Sequence, residues 1–136
     1  MPNVKRIDHI AILTEDLDTA LGFWRDGLGL EVSHMEEEAG EGAQIAFLPV
    51  GGSQVELVRS IKGDSGLARY LEKRGPGMHH LCLEVDDLVG MLSRLKAHGI
   101  QLINETPVSG TDGKKYAFIH PKSTYGVLLE LYELPE

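Results

Sequence analysis

The sequence predicts an α+β domain built from two tandem βαβββ modules. Residues 9–17 reappear at residues 80–88, which is 71 positions later, and an amphipathic helix pattern follows each copy. Segments of alternating polar and apolar residues follow each helix and are typical of strands. With 136 residues the chain is long enough for one such domain, so we place the modules at about 4–59 and 78–134, with residues 60–77 as a linker.

Each module opens with a strand that runs into a capped helix. The segment from His9 to Leu17 matches the segment from His80 to Leu88, and each contains an Asp that can cap the following helix, Asp16 or Asp87. The helices carry the same apolar stripe at positions i, i+3, i+4 and i+7. Its members are Leu17, Ala20, Leu21 and Trp24 in the first copy and Leu88, Met91, Leu92 and Leu95 in the second.

About three further strands complete each module. Residues 45–48 match residues 116–119 at the same offset, and Pro49 and Pro121 follow. Residues 55–57 match 129–131 at an offset of 74, which indicates a three-residue insertion. Turns are expected at 40–42, 51–52, 110–113 and 123–126, each of which contains at least one glycine. In the linker, Ser65 is a suitable cap for a short helix that carries Leu67, Tyr70 and Leu71. Residues Glu36 to Glu38 predict a solvated charged loop.

Composition excludes several classes of function. Thirteen Lys and Arg against 21 Asp and Glu give a net charge of −8, which repels nucleic acid and anionic membrane surfaces. The single cysteine, Cys82, allows no internal disulfide, and neither a leader nor a membrane-spanning segment is expected, so we predict a cytoplasmic protein. An anionic substrate would need a local basic patch. The candidates are Arg59, Lys62, Arg74, Lys114, Lys115 and Lys122.

Two histidines occupy equivalent positions in the first strand of each module. Because strand residues alternate between faces, Ile10 and Ile12 point toward the amphipathic helix and His9 points to the opposite face. The same alternation applies to His80 in the second module. His79 is an alternative to His80, although the repeat register favours His80, and Cys82 is expected to be an inert buried thiol.

Two glutamates occupy equivalent positions in the last strand of each module. Glu56 lies between Val55 and Leu57, and Glu130 lies between two leucines. A carboxylate in the middle of an apolar strand is costly to bury unless a cation compensates it. With His9 and His80 these glutamates predict a site for a divalent metal, for which cobalt, manganese, nickel, iron and zinc all accept nitrogen and oxygen ligands.

Several motifs resemble those of the methylmalonyl-CoA epimerase family, within the vicinal oxygen chelate superfamily of the glyoxalase fold. They are Ile7-Asp8-His9, the segment from Tyr70 to His80, residues 85–87, and His120-Pro-Lys122 followed by Gly126-Val-Leu-Leu-Glu130-Leu. The resemblance covers nearly the whole chain. It implies an eight-stranded cupped mixed sheet, a homodimer, an acyl-CoA thioester substrate and a divalent metal, usually Co²⁺ or Mn²⁺, with Ni²⁺ or Zn²⁺ as alternatives.

The resemblance also implies roles for individual residues. The metal ligands are carried over onto His9, Glu56, His80 and Glu130. Glu130 is the expected catalytic base for removing the substrate α-proton, and a role as ligand alone is equally consistent with its position. Lys115, Gln44 and Lys122 are expected to bind substrate; Gln44 stands where some members have a Glu proposed as a base, and an amide cannot take up that proton.

Two other functions remain open at this stage. A glyoxalase I-like lactoylglutathione lyase uses two His and two Glu ligands on the same fold, and Glu56 favours that reading because some epimerases have Gln there. A metal-free binding protein of the same fold is the other alternative, and the four intact ligand positions argue against it. The segment His120-Pro-Lys122 and the Gly77-x-His-His80 element favour the epimerase.

Overall fold

The computed structural model describes residues 2–38 and 42–136 and contains eight strands and three α-helices within them. The strands are β1 Val4–Thr14, β2 His34–Glu38, β3 Ala43–Val50, β4 Ser53–Ser60, β5 Gly77–Val85, β6 Val108–Ser109, β7 Lys115–Ile119 and β8 Leu129–Glu133. The helices are α1 Leu17–Leu21, α2 Gly66–Arg74 and α3 Leu88–Ala97. The chain divides into two compact units, residues 9–79 and residues 1–8 with 80–136.

The unit of residues 9–79 contains the strand order β2-β3-β4-β1. Strand β1 pairs with β4 in parallel, and the β2–β3 and β3–β4 pairs are antiparallel. One face packs against α1 and the π-helical turn that continues it, Gly22–Gly27. The buried members of this core are Leu17, Leu21, Ala46, Leu48 and Leu57, with Ile12, Val55 and Trp24 partly buried beside them.

The other face of these strands packs against α2. Its buried residues are Ala11, Leu13, Ala43, Ile45 and Val58, with Phe47 partly buried and with Leu67, Tyr70 and Leu71 contributed by the helix. Ser65 caps α2 because its hydroxyl accepts a hydrogen bond of 3.1 Å from the Ala68 amide, as the sequence predicts. By strand alternation, His9 and Glu56 lie on this second face.

The unit of residues 1–8 and 80–136 contains the strand order β5-β8-β7-β6. Strands β5 and β8 are parallel, whereas β7 is antiparallel to β8 and to β6. Helix α3 covers one face, and the core between them consists of Val85, Leu88, Met91, Leu92, Ala117, Ile119 and Leu131. Asp87 caps α3 through a bond of 3.0 Å from the Gly90 amide, as predicted. His80, Phe118 and Glu130 alternate to the opposite face.

The predicted α+β fold of two βαβββ modules is confirmed, with both parallel and antiparallel strand pairs. One local prediction is wrong: residues 36–38 belong to strand β2 and pair with β3, so they form a strand rather than a loop. Glutamates are poor strand formers, and tertiary pairing overrides that preference here. The turn expected at residues 40–42 lies mostly outside the described residues. No helix among the described residues is long and apolar enough to cross a membrane.

Candidate functional site

The first predicted ligand pair is formed within the unit of residues 9–79. Strand β1 presents His9 and the adjacent parallel strand β4 presents Glu56, with Ala11 of β1 in register with Glu56. The Nδ1 atom of His9 lies 3.1 Å from Oε2 of Glu56. Both side chains are about nine-tenths buried, with exposed fractions of 9% and 11%. The sequence therefore predicted correctly that these two residues come together.

The second pair is formed in the other unit by the same pattern of parallel strands. His80 is on β5, and its Nε2 atom lies 3.1 Å from Oε1 of Glu130 on β8. Each side chain is 13% exposed. Phe118 of β7 pairs with Glu130 across the strands and packs its ring edge-to-face on His80, with centroids 5.6 Å apart. Phe118 therefore helps to fix the orientation of the imidazole.

The chemistry of these pairs fits a divalent metal. Each pair combines an imidazole nitrogen with a carboxylate oxygen, and both are ligands that divalent metals accept. Removing carboxylates such as Glu56 and Glu130 from water is unfavourable unless positive charge compensates them.

His79 and Cys82 are the other two residues of β5 that the sequence analysis considered. The His79 ring packs edge-to-face on Tyr70 of α2, with centroids 4.6 Å apart. Cys82 is fully buried and forms no disulfide among the described residues.

Gln44 lies on the other side of its strand from Phe47, the residue that pairs with Glu56. Its neighbour across the strands is Arg59, whose Nε and Nη2 both donate to Oε1 of Gln44, at 3.2 and 3.0 Å. The amide oxygen is therefore already engaged by a guanidinium. This environment suits a hydrogen-bond acceptor and gives Gln44 no role in proton transfer.

The two lysines predicted to bind substrate lie in different surroundings. Lys115 is exposed and pairs with Glu133, whose carboxylate accepts a bond of 2.7 Å from the Leu88 amide at the start of α3. Strand alternation thus places Lys115 on the side of α3, opposite to Glu130. Lys122 is exposed in a 3₁₀ turn, where its amide donates to Nδ1 of His120 at 3.0 Å.

In the sequence analysis Lys114 is only one of six basic candidates, and Tyr132 is not considered. Tyr132 lies two residues beyond Glu130 on the same side of β8, and the Lys114 ammonium is 5.6 Å from the centre of its ring. The hydrogen bond to the Tyr132 hydroxyl raises the pKa of Lys114, while burial raises the pKa of Tyr132 against the opposing effect of the lysine. Lys114 is therefore held as a cation beside the Glu130 face.

A second group of charges missed by the sequence analysis surrounds Glu84, one of the most buried carboxylates described. Its two oxygens contact Nε of Arg6 at 2.8 Å and Nζ of Lys5 at 3.4 Å, and its side chain is only 6% exposed. Arg6 also contacts the buried Asp8 at 2.8 Å. The guanidinium thus pairs with two buried carboxylates at once and, together with Lys5, offsets the cost of removing them from water.

The internal repeat contains a signal for both groups. At the offset of 71, Glu84 stands where the first module has Leu13, and at the offset of 74, Tyr132 stands where it has Val58. Leu13 and Val58 belong to the core beneath α2. Polar residues that replace core residues in one copy of a repeat indicate that the two copies use this face differently.

Comparison with known proteins identifies the family. Residues 8–118 match the family model of the Glyoxalase/Bleomycin resistance protein/Dioxygenase superfamily. The chain is 36% identical over 130 residues to the mitochondrial methylmalonyl-CoA epimerase of Homo sapiens, which covers 95% of this chain and 74% of the human protein.

Two solved structures extend the likeness to the fold. The methylmalonyl-CoA epimerase of Mycobacterium tuberculosis is 38% identical, with a TM-score of 0.86 over 98% of this chain and 90% of that one. A variant of the Streptomyces coelicolor methylmalonyl-CoA epimerase, in complex with 2-nitronate-propionyl-CoA, is 33% identical, with a TM-score of 0.86 over 96% and 95%.

The fold, the repeated His–Glu pairs and the family match define the class of protein: the chain belongs to the Glyoxalase/Bleomycin resistance protein/Dioxygenase superfamily. Within that superfamily its place is among the methylmalonyl-CoA epimerases, as the identity over nearly the whole chain shows.

Proposed function

We propose that this protein epimerises methylmalonyl-CoA between its 2R and 2S forms. The observation that carries the proposal is the buried His–Glu pair that recurs in each half of the chain, His9 with Glu56 and His80 with Glu130. The proposal is supported by the membership of the chain in the epimerase family. The similarity to a structure that contains a propionyl-CoA derivative supports an acyl-CoA thioester as the substrate class.

These four residues are the proposed ligands of one divalent metal. Co²⁺ or Mn²⁺ is the proposed native ion, and Ni²⁺ or Zn²⁺ is compatible with the same donor set. When bound, such a cation stabilises negative charge that develops on the carboxylate and thioester oxygens of the substrate. The residues themselves supply ligands of fixed orientation, because each lies within a strand and is packed by its neighbours.

Glu130 is the proposed general base. The α-carbon of methylmalonyl-CoA lies between a carboxylate and a thioester, so its proton is acidic enough to be removed with an enolate as the product. A carboxylate oxygen of Glu130 takes that proton, and return of a proton to the opposite face inverts the centre. Gln44 does not serve as a second base because its side chain is an amide and is bonded to Arg59.

Lys114 is the proposed cation for the substrate carboxylate, in place of Lys115. It is held against Tyr132, which lies on the same side of β8 as Glu130, whereas Lys115 lies on the α3 side. Lys122 is proposed as a positioning contact through its exposed ammonium. Gln44, like Lys115, lies on the side of its strand away from the His–Glu pair, so the expected contact between Gln44 and the substrate is not proposed.

Deuterium wash-in at the α-carbon tests the function directly. In D₂O, (2S)-methylmalonyl-CoA is expected to gain deuterium at C2 and to yield the 2R form. The hemithioacetal of glutathione and methylglyoxal, which tests the lactoylglutathione lyase alternative, is expected to remain unchanged under the same conditions. Conversion of the hemithioacetal without exchange in methylmalonyl-CoA would overturn the proposal.

We also propose a homodimer in the cytoplasm. Strand β2 is an edge strand, and it carries the exposed side chain of Met35. Edge strands are protected from aggregation by pairing with another chain or by charged side chains. Cys82 is buried and forms no disulfide among the described residues, which fits a reducing compartment. Light scattering at micromolar concentration should give twice the mass of 14.9 kDa, and a monomer would contradict the dimer.

A further inference from the structure

Helix α2 presents a cationic groove that the proposed chemistry does not use. The groove has a volume of about 350 Å³ and is lined by Gly66, Arg69, Tyr70, Lys73 and Arg74. All three of its charged residues are basic, and each is exposed. The whole lining belongs to the unit of residues 9–79, so one helix forms the groove.

The groove is positively charged, whereas the protein as a whole is negatively charged. The chain has a net charge of −8, yet the lining contributes three positive charges and no acidic side chain. Among the residues the structure describes, none of these three cations forms an ion pair with an acidic side chain, and Arg69 donates to the Asp64 carbonyl oxygen at 2.9 Å. A concentrated positive field on an acidic protein attracts a compact anion with several negative charges.

Tyr70 holds part of this groove in place. Its ring contributes to the core beneath α2, and the Arg74 guanidinium lies 5.7 Å from its centre. The ring also packs on His79, the residue that directly precedes the proposed ligand His80. Tyr70 therefore connects the groove to the residue next to the proposed ligand His80. The two arginines of the groove have planar guanidinium groups, whose paired N–H donors suit phosphate oxygens.

We propose that this groove, through Arg69, Lys73 and Arg74, binds the phosphates of the coenzyme A part of the substrate. The inference rests on the proposed function, because it takes the substrate to be an acyl-CoA thioester. It assigns the nucleotide end of that substrate, with its diphosphate and 3′-phosphate, to α2, while the acyl end reacts at the His–Glu pairs. Lys73 and Arg74 also oppose the negative C-terminal end of the helix dipole, a role that affects stability and not affinity.

The test is a double variant, Arg69→Gln with Lys73→Gln. The matched control is Arg94→Gln with Lys96→Gln, which removes the same charge from the last turn of α3. Each protein is assayed with methylmalonyl-CoA and with the methylmalonyl thioester of pantetheine, which lacks the nucleotide. For the α2 variant the KM for methylmalonyl-CoA should rise about tenfold or more, with kcat and all constants for the pantetheine thioester unchanged. The control should resemble the wild type.

Calorimetry with adenosine 3′,5′-bisphosphate separates this inference from the proposed function, because it needs no turnover. The wild type and the α3 control should bind the nucleotide, and the α2 variant should bind it about tenfold more weakly. If epimerisation is absent but the α2 variant binds the nucleotide more weakly than the wild type, the phosphate site is supported and the proposed function is wrong. Equal affinity in both variants, or no binding by the wild type, would overturn the groove even if the enzyme is active.

Discussion

At the scale of the residue, Glu130 has two proposed roles, ligand and base, that one substitution separates. Its carboxylate contacts His80 and is mostly buried on a face that also carries Phe118 and Tyr132. An amide at this position keeps an oxygen for coordination but loses the ability to accept a proton.

The Glu130→Gln variant should therefore retain much of its metal at saturating concentration while exchange and epimerisation fall by about two orders of magnitude or more. Metal analysis and deuterium wash-in on the same sample measure both quantities. Glu105→Gln is a suitable control because Glu105 forms only an exposed ion pair with Lys96. Near-normal exchange in metal-loaded Glu130→Gln would place the base elsewhere, and residues 36–41 would be examined next.

Lys114 gives a prediction for stability at alkaline pH. Its folded-state pKa is raised above the ordinary value of 10.5 by the hydrogen bond to Tyr132. A raised pKa means that its contribution to stability is fully present below pH 10.5 and is lost as the pH rises through the folded-state value. The stability difference between wild type and Lys114→Met should thus be largest below that pH and should shrink above it.

Urea denaturation over a series of pH values measures this difference. Lys115→Met serves as the control, since it removes the same charge from the neighbouring position on the other side of the strand. A difference between wild type and Lys114→Met that stays constant across the alkaline range would show that the Lys114–Tyr132 bond does not stabilise the folded state.

At the scale of the element, the start of α3 shows why a glycine lies inside a helix. The Asp87 carboxylate caps the helix at the Gly90 amide, and a Cβ built on Gly90 would lie 2.3 Å from Oδ2 of Asp87. The cap and any side chain at position 90 therefore compete for the same space. Glycine is unfavourable in a helix by about 1 kcal/mol relative to alanine, and the cap offsets that cost.

A double-mutant cycle tests this competition. In the wild-type background, Gly90→Ala should change the free energy of unfolding little, because the gain in helix propensity is offset by the disturbed cap. In the Asp87→Ala background, which alone should cost about 1 kcal/mol, the same substitution should stabilise by about 1 kcal/mol. Equal effects in the two backgrounds, measured by urea denaturation, would show that cap and glycine are independent.

At the scale of the whole molecule, the proposal of one shared metal makes the two halves depend on each other. If His9 and His80 bind the same ion, then either substitution to Ala should lower metal content well below one per chain. If each His–Glu pair bound its own ion, a single substitution would leave one site intact.

Metal analysis of the wild type, His9→Ala and His80→Ala distinguishes these cases. We expect about one divalent ion per chain in the wild type and a similar loss in both variants. His79→Ala is the control, because His79 packs on Tyr70 and is not a proposed ligand. Unchanged metal content in His80→Ala would refute the shared site.

The repeat, the strand and helix order, the caps at Asp16, Ser65 and Asp87, and the equivalent strand positions of the two His and two Glu residues could all be predicted from the sequence. These features follow from local periodicity and from the equivalence of two copies, which one chain displays without any structure.

Other features depend on contacts between segments that are distant in the sequence. Residues Glu36 to Glu38 lie in a strand because they pair with β3. Lys114 contacts Tyr132 whereas Lys115 does not lie on that side, and Arg6 contacts Glu84, which is 78 positions away in the sequence. Strand pairing and long-range ion pairs depend on which segments become neighbours in space, and burial sets how strongly their charges interact. Neither quantity is contained in a pattern of neighbouring residues.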